Sequence, residues 1–345
     1  MNLTDLLKDL SNQAGVSGLS NALNAAKSCL SEFVDEVYIK NGSVIGSING
    51  KYDYTILLDA HIDEIGMVVT SIEKNGFVRV SKIGAVDVRT LPAQPVNIWG
   101  KERITGIFCS TPPHLSKKDK DKEVPDITEM YIDTGLPAER LKEIVSPGDR
   151  VTFMQQAKQM LEGKLTGKSF DNRASVAALI ETARKLKDKP PECNVVFLLS
   201  DQEELGCRGA KTAAFDLSPN EAIAVDVSFG DFPDVPAHKS GKLGNGPMIG
   251  ISPVLSKSIT EKIKQIAKSQ NIKHQFEVMG GETSTNADVI NLAKSGIPCG
   301  LVSIPLRNMH TTVEVICEED VKNTAELLFA YVTSCGLNKG GQTNE

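Results

Sequence analysis

The stretch "VVFLLSDQEELG", residues 195–206, decides the fold, because a near-apolar run ends in two adjacent glutamates. The apolar residues 195–200 are typical of a buried parallel strand. Glu203 and Glu204 follow where this strand stops, and carboxylates placed at a buried strand end need a partner. The pattern predicts an α/β fold whose functional groups gather at the ends of strands.

The same pattern recurs along the chain. Apolar runs in "YTILLDAHID" (54–63), "EAIAVDVSF" (221–229) and "CGLVSIPLRNMH" (299–310) each contain or precede a histidine or carboxylate, and "SFDNRAS" (169–175) opens a predicted helix. Because functional groups in open α/β sheets gather at the carboxyl ends of strands, we expect these side chains to meet at one edge. The candidate site residues are His61, Asp63, Asp171, Glu203, Glu204, Asp226 and His310.

Each of these residues has an ordinary structural explanation when it is taken alone. Asp171 is typical of a helix N-cap, His61 of a hydrogen-bonded core histidine, and Glu204 of a surface residue. Together, however, two histidines and several carboxylates would repel one another and be costly to bury unless a cation compensated them. Imidazole and carboxylate without thiolate suit zinc, cobalt or manganese, and a bridging carboxylate would allow two such ions.

The adjacent glutamates then have separable roles. If Glu204 binds a metal ion, Glu203 lies near the attacking water without being a ligand, and it can move a proton from that water to the leaving group. Alternate residues at a strand end can face the same side, so Asp63 could accept the imidazole N–H of His61.

The chain changes character between about residues 70 and 164. Short β-prone pieces such as "GFVRVSKIG" (76–84) and "PVNIWG" (95–100) alternate there with turn residues, which predicts a small barrel or sandwich. Alternating helices and apolar strands resume from about residue 167. We therefore predict an α/β domain with a mixed sheet flanked by helices, formed by residues 1–69 and 165–345. A small β-barrel-like domain at residues 70–164 interrupts it.

Composition limits the possible partners. The chain has 345 residues, 40% of them hydrophobic, and a net charge of -6, which argues against nucleic acid or membrane as a partner. The basic run "KKDKDK" (117–122) is interleaved with acid and is typical of a solvated loop. No signal peptide or membrane-length apolar segment is evident. Seven scattered cysteines predict reduced thiols in a cytoplasmic protein and no cysteine-bound zinc.

Five motifs in order resemble one known family. They are "DAHIDEIGMVV" (59–69), "GKSFDNRASVAALIE" (167–181), "DQEELGCRGA" (201–210), "AVDVS" (224–228) and "IPLRNMHTTVEV" (304–315). The set is similar to the tetrahedral, or TET-type, dinuclear metal aminopeptidases, which include glutamyl aminopeptidases and proteins once labelled cellulase M. The resemblance covers about residues 57 to 320.

The resemblance implies two divalent metal ions per subunit, with zinc expected first and cobalt or manganese as alternatives. His61 and Asp226 would hold one ion. Glu204 and His310 would hold the other, and Asp171 would bridge both.

The resemblance also implies the catalytic roles and the partners. Glu203 would be the general base beside a metal-bound hydroxide, and Asp63 would orient the metal-bound histidine. Substrates would be peptides with a free N-terminus, and the inserted domain would mediate a homo-oligomer between a dimer and a dodecamer. Two departures from the family pattern, Asn308 after Arg307 and Asn286 within "TSTNAD", concern substrate preference more than chemistry.

Three other functions compete with this prediction. A co-catalytic metal deacylase or carboxypeptidase would share the metal chemistry and recognise a carboxylate instead of a free amine. An endoglucanase would need two carboxyl groups facing each other across a sugar. An inactive assembly protein would have lost a metal ligand or the base.

Overall fold

The computed structural model describes residues 1–109 and 125–335 of the chain. The run at residues 117–122 lies outside the described residues. In chain order, the strands are β1 (Glu36–Lys40), β2 (Ser43–Ile48), β3 (Tyr52–His61), β4 (Gly66–Ile72), β5 (Val78–Ile83), β6 (Pro95–Trp99), β7 (Arg103–Phe108), β8 (Ile132–Asp133), β9 (Arg150–Phe153), β10 (Lys158–Gln159), β11 (Lys164–Gly167), β12 (Cys193–Ser200), β13 (Glu221–Phe229), β14 (Met248–Ile251), β15 (Gln275–Val278), β16 (Cys299–Leu306) and β17 (Glu314–Cys317).

The helices are α1 (Leu3–Asn12), α2 (Asn21–Ser31), α3 (Ala138–Ile144), α4 (Phe170–Asp188), α5 (Arg208–Leu217), α6 (Lys257–Ser269), α7 (Ala287–Ile290) and α8 (Glu318–Thr333). Helix α8 has three acidic residues in its first turn, where they stabilise the positive end of the helix dipole. Within the described ranges, no helix is both long and apolar enough to cross a membrane.

A mixed sheet of eight strands forms the centre of the molecule, in the order β1-β2-β12-β3-β13-β16-β14-β15. Its four central strands, β12, β3, β13 and β16, are mutually parallel. Helices cover both faces, because neighbouring side chains point to opposite sides: Phe197 packs in the core that includes α4 and α8, and Leu198 in the core that includes α5. Burial on both faces explains why these strands read as near-continuous apolar runs.

Six antiparallel strands form a closed barrel in the order β4-β5-β8-β7-β6-β9. Along the sequence, this barrel is inserted between strands β3 and β12 of the large sheet. It has its own apolar core, which includes Met67, Val96 and Phe108. The chain enters the barrel at Gly66, where a Cβ atom would lie 2.3 Å from a methyl group of Val16, so only glycine fits. The predicted α/β fold with a mixed sheet and an inserted barrel-like unit is confirmed.

The strands that follow the barrel do not belong to it. Strands β10 and β11 pair with β17 in a separate three-stranded sheet, in which Gly167 lies opposite Glu314. This small sheet places Glu314 beside the start of α4, where it contributes to the site described next.

Candidate metal centre and active site

All seven residues singled out in the sequence meet at the carboxyl ends of the central strands. His61 ends β3, Asp226 lies in β13, and Glu203 and Glu204 follow β12. Asp171 lies in the first turn of α4, and His310 follows β16 by four residues. Apart from Asp63, these side chains line one cleft of about 220 Å³.

One group of potential metal ligands surrounds His61. Its Nε2 atom lies 3.1 Å from Oδ1 of Asp171 and 3.8 Å from Oδ1 of Asp226. The ligand-capable atoms of these three buried residues all lie within 4.8 Å of one another. Such a spacing suits a single cation bound by all three.

A second group surrounds His310. Its Nε2 atom lies 3.2 Å from Oδ2 of Asp171 and 3.5 Å from Oε1 of Glu204. The ligand-capable atoms of this trio also lie within 4.8 Å of one another. Asp171 therefore directs one carboxylate oxygen toward each histidine, and it is the residue that the two groups share.

The start of α4 is shaped to present Asp171. Asp171 (φ -79°, ψ 102°) and Asn172 (φ -118°, ψ 33°) are not helical, so the regular helix begins with Arg173. The Asn172 side chain donates a hydrogen bond to the carbonyl of Val225, at 2.9 Å. Ser169, which precedes the helix, makes no side-chain cap hydrogen bond, and the Asp171 carboxylate faces the two histidines.

Asp63 supports the loop that carries the two glutamates. Its carboxylate accepts the backbone N–H groups of Glu203, at 3.0 Å, and Glu204, at 3.3 Å. Nδ1 of His61 lies 3.5 Å from the Asp63 carboxylate and 3.2 Å from the Asp63 backbone carbonyl, which is the nearer acceptor. Asp63 thus orders the loop and the imidazole together.

Glu203 is half-buried beside His61 and Glu204, and these three residues form a third group whose ligand-capable atoms lie within 4.8 Å of one another. Its Oε2 atom is 3.9 Å from Nε2 of His61, and its Oε1 atom accepts a hydrogen bond from the thiol of Cys207 at 3.5 Å. Burial raises the pKa of Glu203 from 4.5 to about 7, and nearby carboxylates add to the effect. A carboxyl group with this pKa can accept and release a proton near neutral pH.

The cluster brings four carboxylates together with two histidines, and this crowding shifts the pKa values of its members. Burial raises the pKa of Asp226 well above its ordinary value and also raises that of Glu204. Burial alone would lower the pKa of His310, yet hydrogen bonds to Asp171 and Glu204 raise it to about 11. A divalent cation bound here would stabilise the ionised carboxylates and the neutral imidazoles. Nitrogen and oxygen donors of this kind fit divalent transition metals.

Two residues that line or support the site were not predicted from sequence. Glu314 is 2% exposed and accepts the backbone N–H groups of Asp171 and His310, each at 3.1 Å. In the sequence, Glu314 stands out as a glutamate within the largely apolar segment "TTVEVIC" (311–317). Glu277 lines the cleft from strand β15 and had no distinguishing pattern in the sequence.

Comparison with known proteins agrees with this geometry. The family model described as M42 glutamyl aminopeptidase matches residues 42–327. The chain is 32% identical to a lysyl aminopeptidase of Pyrococcus furiosus over 337 residues, which cover 95% of this chain and 96% of the relative.

Two solved structures are also similar. One is the TET1 peptidase of Pyrococcus horikoshii, with 30% identity, a TM-score of 0.86, and coverage of 96% of this chain and 99% of that one. The other is named an endoglucanase of Thermotoga maritima, with 30% identity, a TM-score of 0.76, and coverage of 94% and 96%. Because the family model spans most of the chain, the chain belongs to the M42 glutamyl aminopeptidase family of metal-dependent peptidases.

Proposed function

We propose that this aminopeptidase hydrolyses N-terminal residues from peptides with two divalent cations. His61, Asp171 and Asp226 would hold one cation, and Asp171, Glu204 and His310 the other. The observation that carries this proposal is the position of Asp171, whose two carboxylate oxygens lie 3.1 Å and 3.2 Å from Nε2 of the two histidines. A carboxylate shared in this way is suited to bridge two ions.

The donor set also favours certain metals. Imidazole nitrogen and carboxylate oxygen suit zinc first, with cobalt or manganese as alternatives. When bound, two such ions activate a water molecule and polarise the carbonyl group of the scissile bond. Glu314 would stiffen this centre, because it fixes the backbone of both Asp171 and His310.

Glu203 would be the general base. It is not a member of either three-residue group that includes Asp171, and its pKa of about 7 suits proton transfer near neutral pH. It would accept a proton from the attacking water and deliver it to the leaving amine. Asp63 would position this base, since it holds the backbone N–H of Glu203.

The competing functions fit the cleft less well. A deacylase or carboxypeptidase that recognises a substrate carboxylate needs a cationic side chain, and no lysine or arginine is among the described residues that line the cleft. An endoglucanase needs two carboxyl groups about 5 to 9 Å apart across a sugar, whereas the carboxylates here converge on two histidines. An inactive protein would have lost one of the residues proposed as ligand or base, and the sequence retains each of them.

The test is mass spectrometry of a peptide mixture with free N-termini and of its N-acetylated counterpart. Each would be incubated with zinc- or cobalt-loaded protein. We expect stepwise N-terminal shortening of the free peptides alone. Equal cleavage of both mixtures, removal of the acetyl group, or C-terminal shortening would overturn the proposal.

We also propose that the inserted domain, residues 70–164, mediates a homo-oligomer in the cytoplasm. The similar TET1 peptidase can assemble into a tetrahedron or a large octahedral shell, which supports assembly. Ile107, on barrel strand β7, is 53% exposed and offers apolar contact area. Light scattering should give a mass between those of a dimer and a dodecamer of the 37.2 kDa chain. A monomeric mass would contradict this proposal.

A further inference from the structure

A fifth carboxylate lies in the same cleft, outside the two groups of potential metal ligands. Glu277, on strand β15, lines the cleft together with His61 and Glu203. Its two oxygens accept hydrogen bonds from the hydroxyl groups of Ser228 and Ser303, the latter at 2.8 Å. These serines fix the position of the carboxylate without neutralising its charge.

The register of the sheet places Glu277 close to the reacting end of a substrate. Ser303 lies directly opposite Asp226 on the neighbouring parallel strand, and Ser228 lies two residues beyond Asp226 on the same face. Because neighbouring strands lie about 4.8 Å apart, the Glu277 carboxylate lies within roughly one or two strand spacings of Asp226. The four-carbon stem of a lysine side chain can span such a distance.

The rest of the cleft wall complements a long cationic side chain. Val227, Phe229 and Met309 also line the cleft and offer apolar surface for methylene groups. Among the described residues, none that lines the cleft is a lysine or arginine. An acidic substrate side chain would therefore meet a negative charge and find no permanent cation in the cleft wall.

We propose that Glu277 selects substrates with a basic N-terminal residue, lysine or arginine, and disfavours glutamate and aspartate. This inference rests on the proposed aminopeptidase function. This preference differs from the word glutamyl in the family description and agrees with the name of the lysyl aminopeptidase relative. Glu277 would contact the ammonium or guanidinium group directly, while the metal centre acts on the peptide bond.

The experiment compares kcat/KM for lysyl, norleucyl and glutamyl coumarin amides with metal-loaded protein. Norleucine matches lysine in length and lacks the charge. A hydrogen-bonded charge pair of this kind corresponds to a preference of about 10- to 100-fold for the lysyl over the norleucyl substrate. The Glu277→Gln variant should lose most of that ratio. The control Glu282→Gln changes an exposed carboxylate outside the cleft and should retain it.

Three outcomes would overturn the inference. The first is a lysyl-to-norleucyl ratio near one in the wild type, and the second is an unchanged ratio in Glu277→Gln. The third is an equal fall for all substrates in that variant, because this would mean that Glu277 binds the α-amine.

A calorimetric comparison of lysinamide and norleucinamide separates the two proposals. Tighter binding of lysinamide without hydrolysis of any coumarin amide would overturn the aminopeptidase mechanism and support the role of Glu277. Hydrolysis with equal affinity for the two amides would support the mechanism and overturn that role.

Discussion

Replacing Glu203 by glutamine should stabilise the metal-free protein at pH 8 while it removes most of the activity of the metal-loaded protein. Burial raises the pKa of Glu203 from 4.5 to about 7, so the folded state favours the neutral carboxyl group. Glutamine has nearly the shape of that neutral group and cannot ionise. The variant therefore avoids the cost of a buried negative charge.

The sign and size of this effect follow from proton linkage. Between pH 4.5 and about 7 the folded wild type binds more protons at Glu203 than the unfolded chain does, so its stability falls as the pH rises. A pKa change from 4.5 to about 7 corresponds to about 3 kcal/mol at pH 8. Neighbouring charges share this penalty, which makes the figure a ceiling. At pH 4.5 the carboxyl group is neutral in the folded state and half ionised in the unfolded chain, so the stability difference should shrink to about 0.4 kcal/mol.

The assay is urea unfolding of chelator-treated wild type and Glu203→Gln at pH 4.5 and pH 8. A single protein concentration is needed, because assembly shifts apparent stability. A stability difference of the same size at both pH values, or a less stable variant at pH 8, would refute the burial argument.

Activity is measured on the metal-loaded proteins. Loss of a general base should lower kcat by about 100- to 10,000-fold without loss of metal. Glu204→Gln is the matched control, since it should also lose bound metal. Full activity in Glu203→Gln would rule out Glu203 as the base.

Three further predictions concern the surroundings of the site. The kcat/KM of the metal-loaded enzyme should rise with pH along an acid limb below pH 7, because bound cations lower the pKa of the base; a flat profile would contradict this. Glu314→Ala should weaken metal binding by about 10- to 100-fold in chelator competition, because the backbone N–H groups of Asp171 and His310 lose their common acceptor. Unchanged metal affinity would contradict this role of Glu314. Glu64→Ala should lower the free energy of unfolding by about 3 to 5 kcal/mol in urea, because it leaves the buried Lys168 without its carboxylate partner. A double variant with Lys168→Met should recover most of this loss. An unchanged free energy of unfolding in the single variant would refute the argument.

The sequence predicts the strand-end residues well because the relevant information is local. An apolar run followed by His61 or by Glu203 and Glu204 places each group at a sheet edge, and the parallel order of the strands brings the edges together. The same reasoning places Asp226, because a carboxylate inside an otherwise apolar strand stands out. The inserted barrel was equally visible from the change in periodicity.

The residues that were missed depend on contacts between distant segments. Glu314 acts on the backbone of Asp171, 143 residues earlier in the chain, so its role follows from the pairing of β17 with β11. Glu277 lies on a short edge strand whose position beside β14 no local pattern fixes. Asp171 alone is typical of a helix cap, and only the folded chain shows that its carboxylate faces His61 and His310.

The insertion of the barrel between β3 and β12 has a consequence for folding during synthesis. Strand β3 pairs with β12 and β13, but residues 62–192 must be translated before β12 emerges. At ~5–20 residues per second, this delay is on the order of ten seconds. The barrel strands are contiguous in sequence and can pair among themselves in that time, whereas β3 must wait with its apolar side chains uncovered. The nascent chain should therefore depend on chaperones most strongly in the interval between completion of the barrel and release of β12.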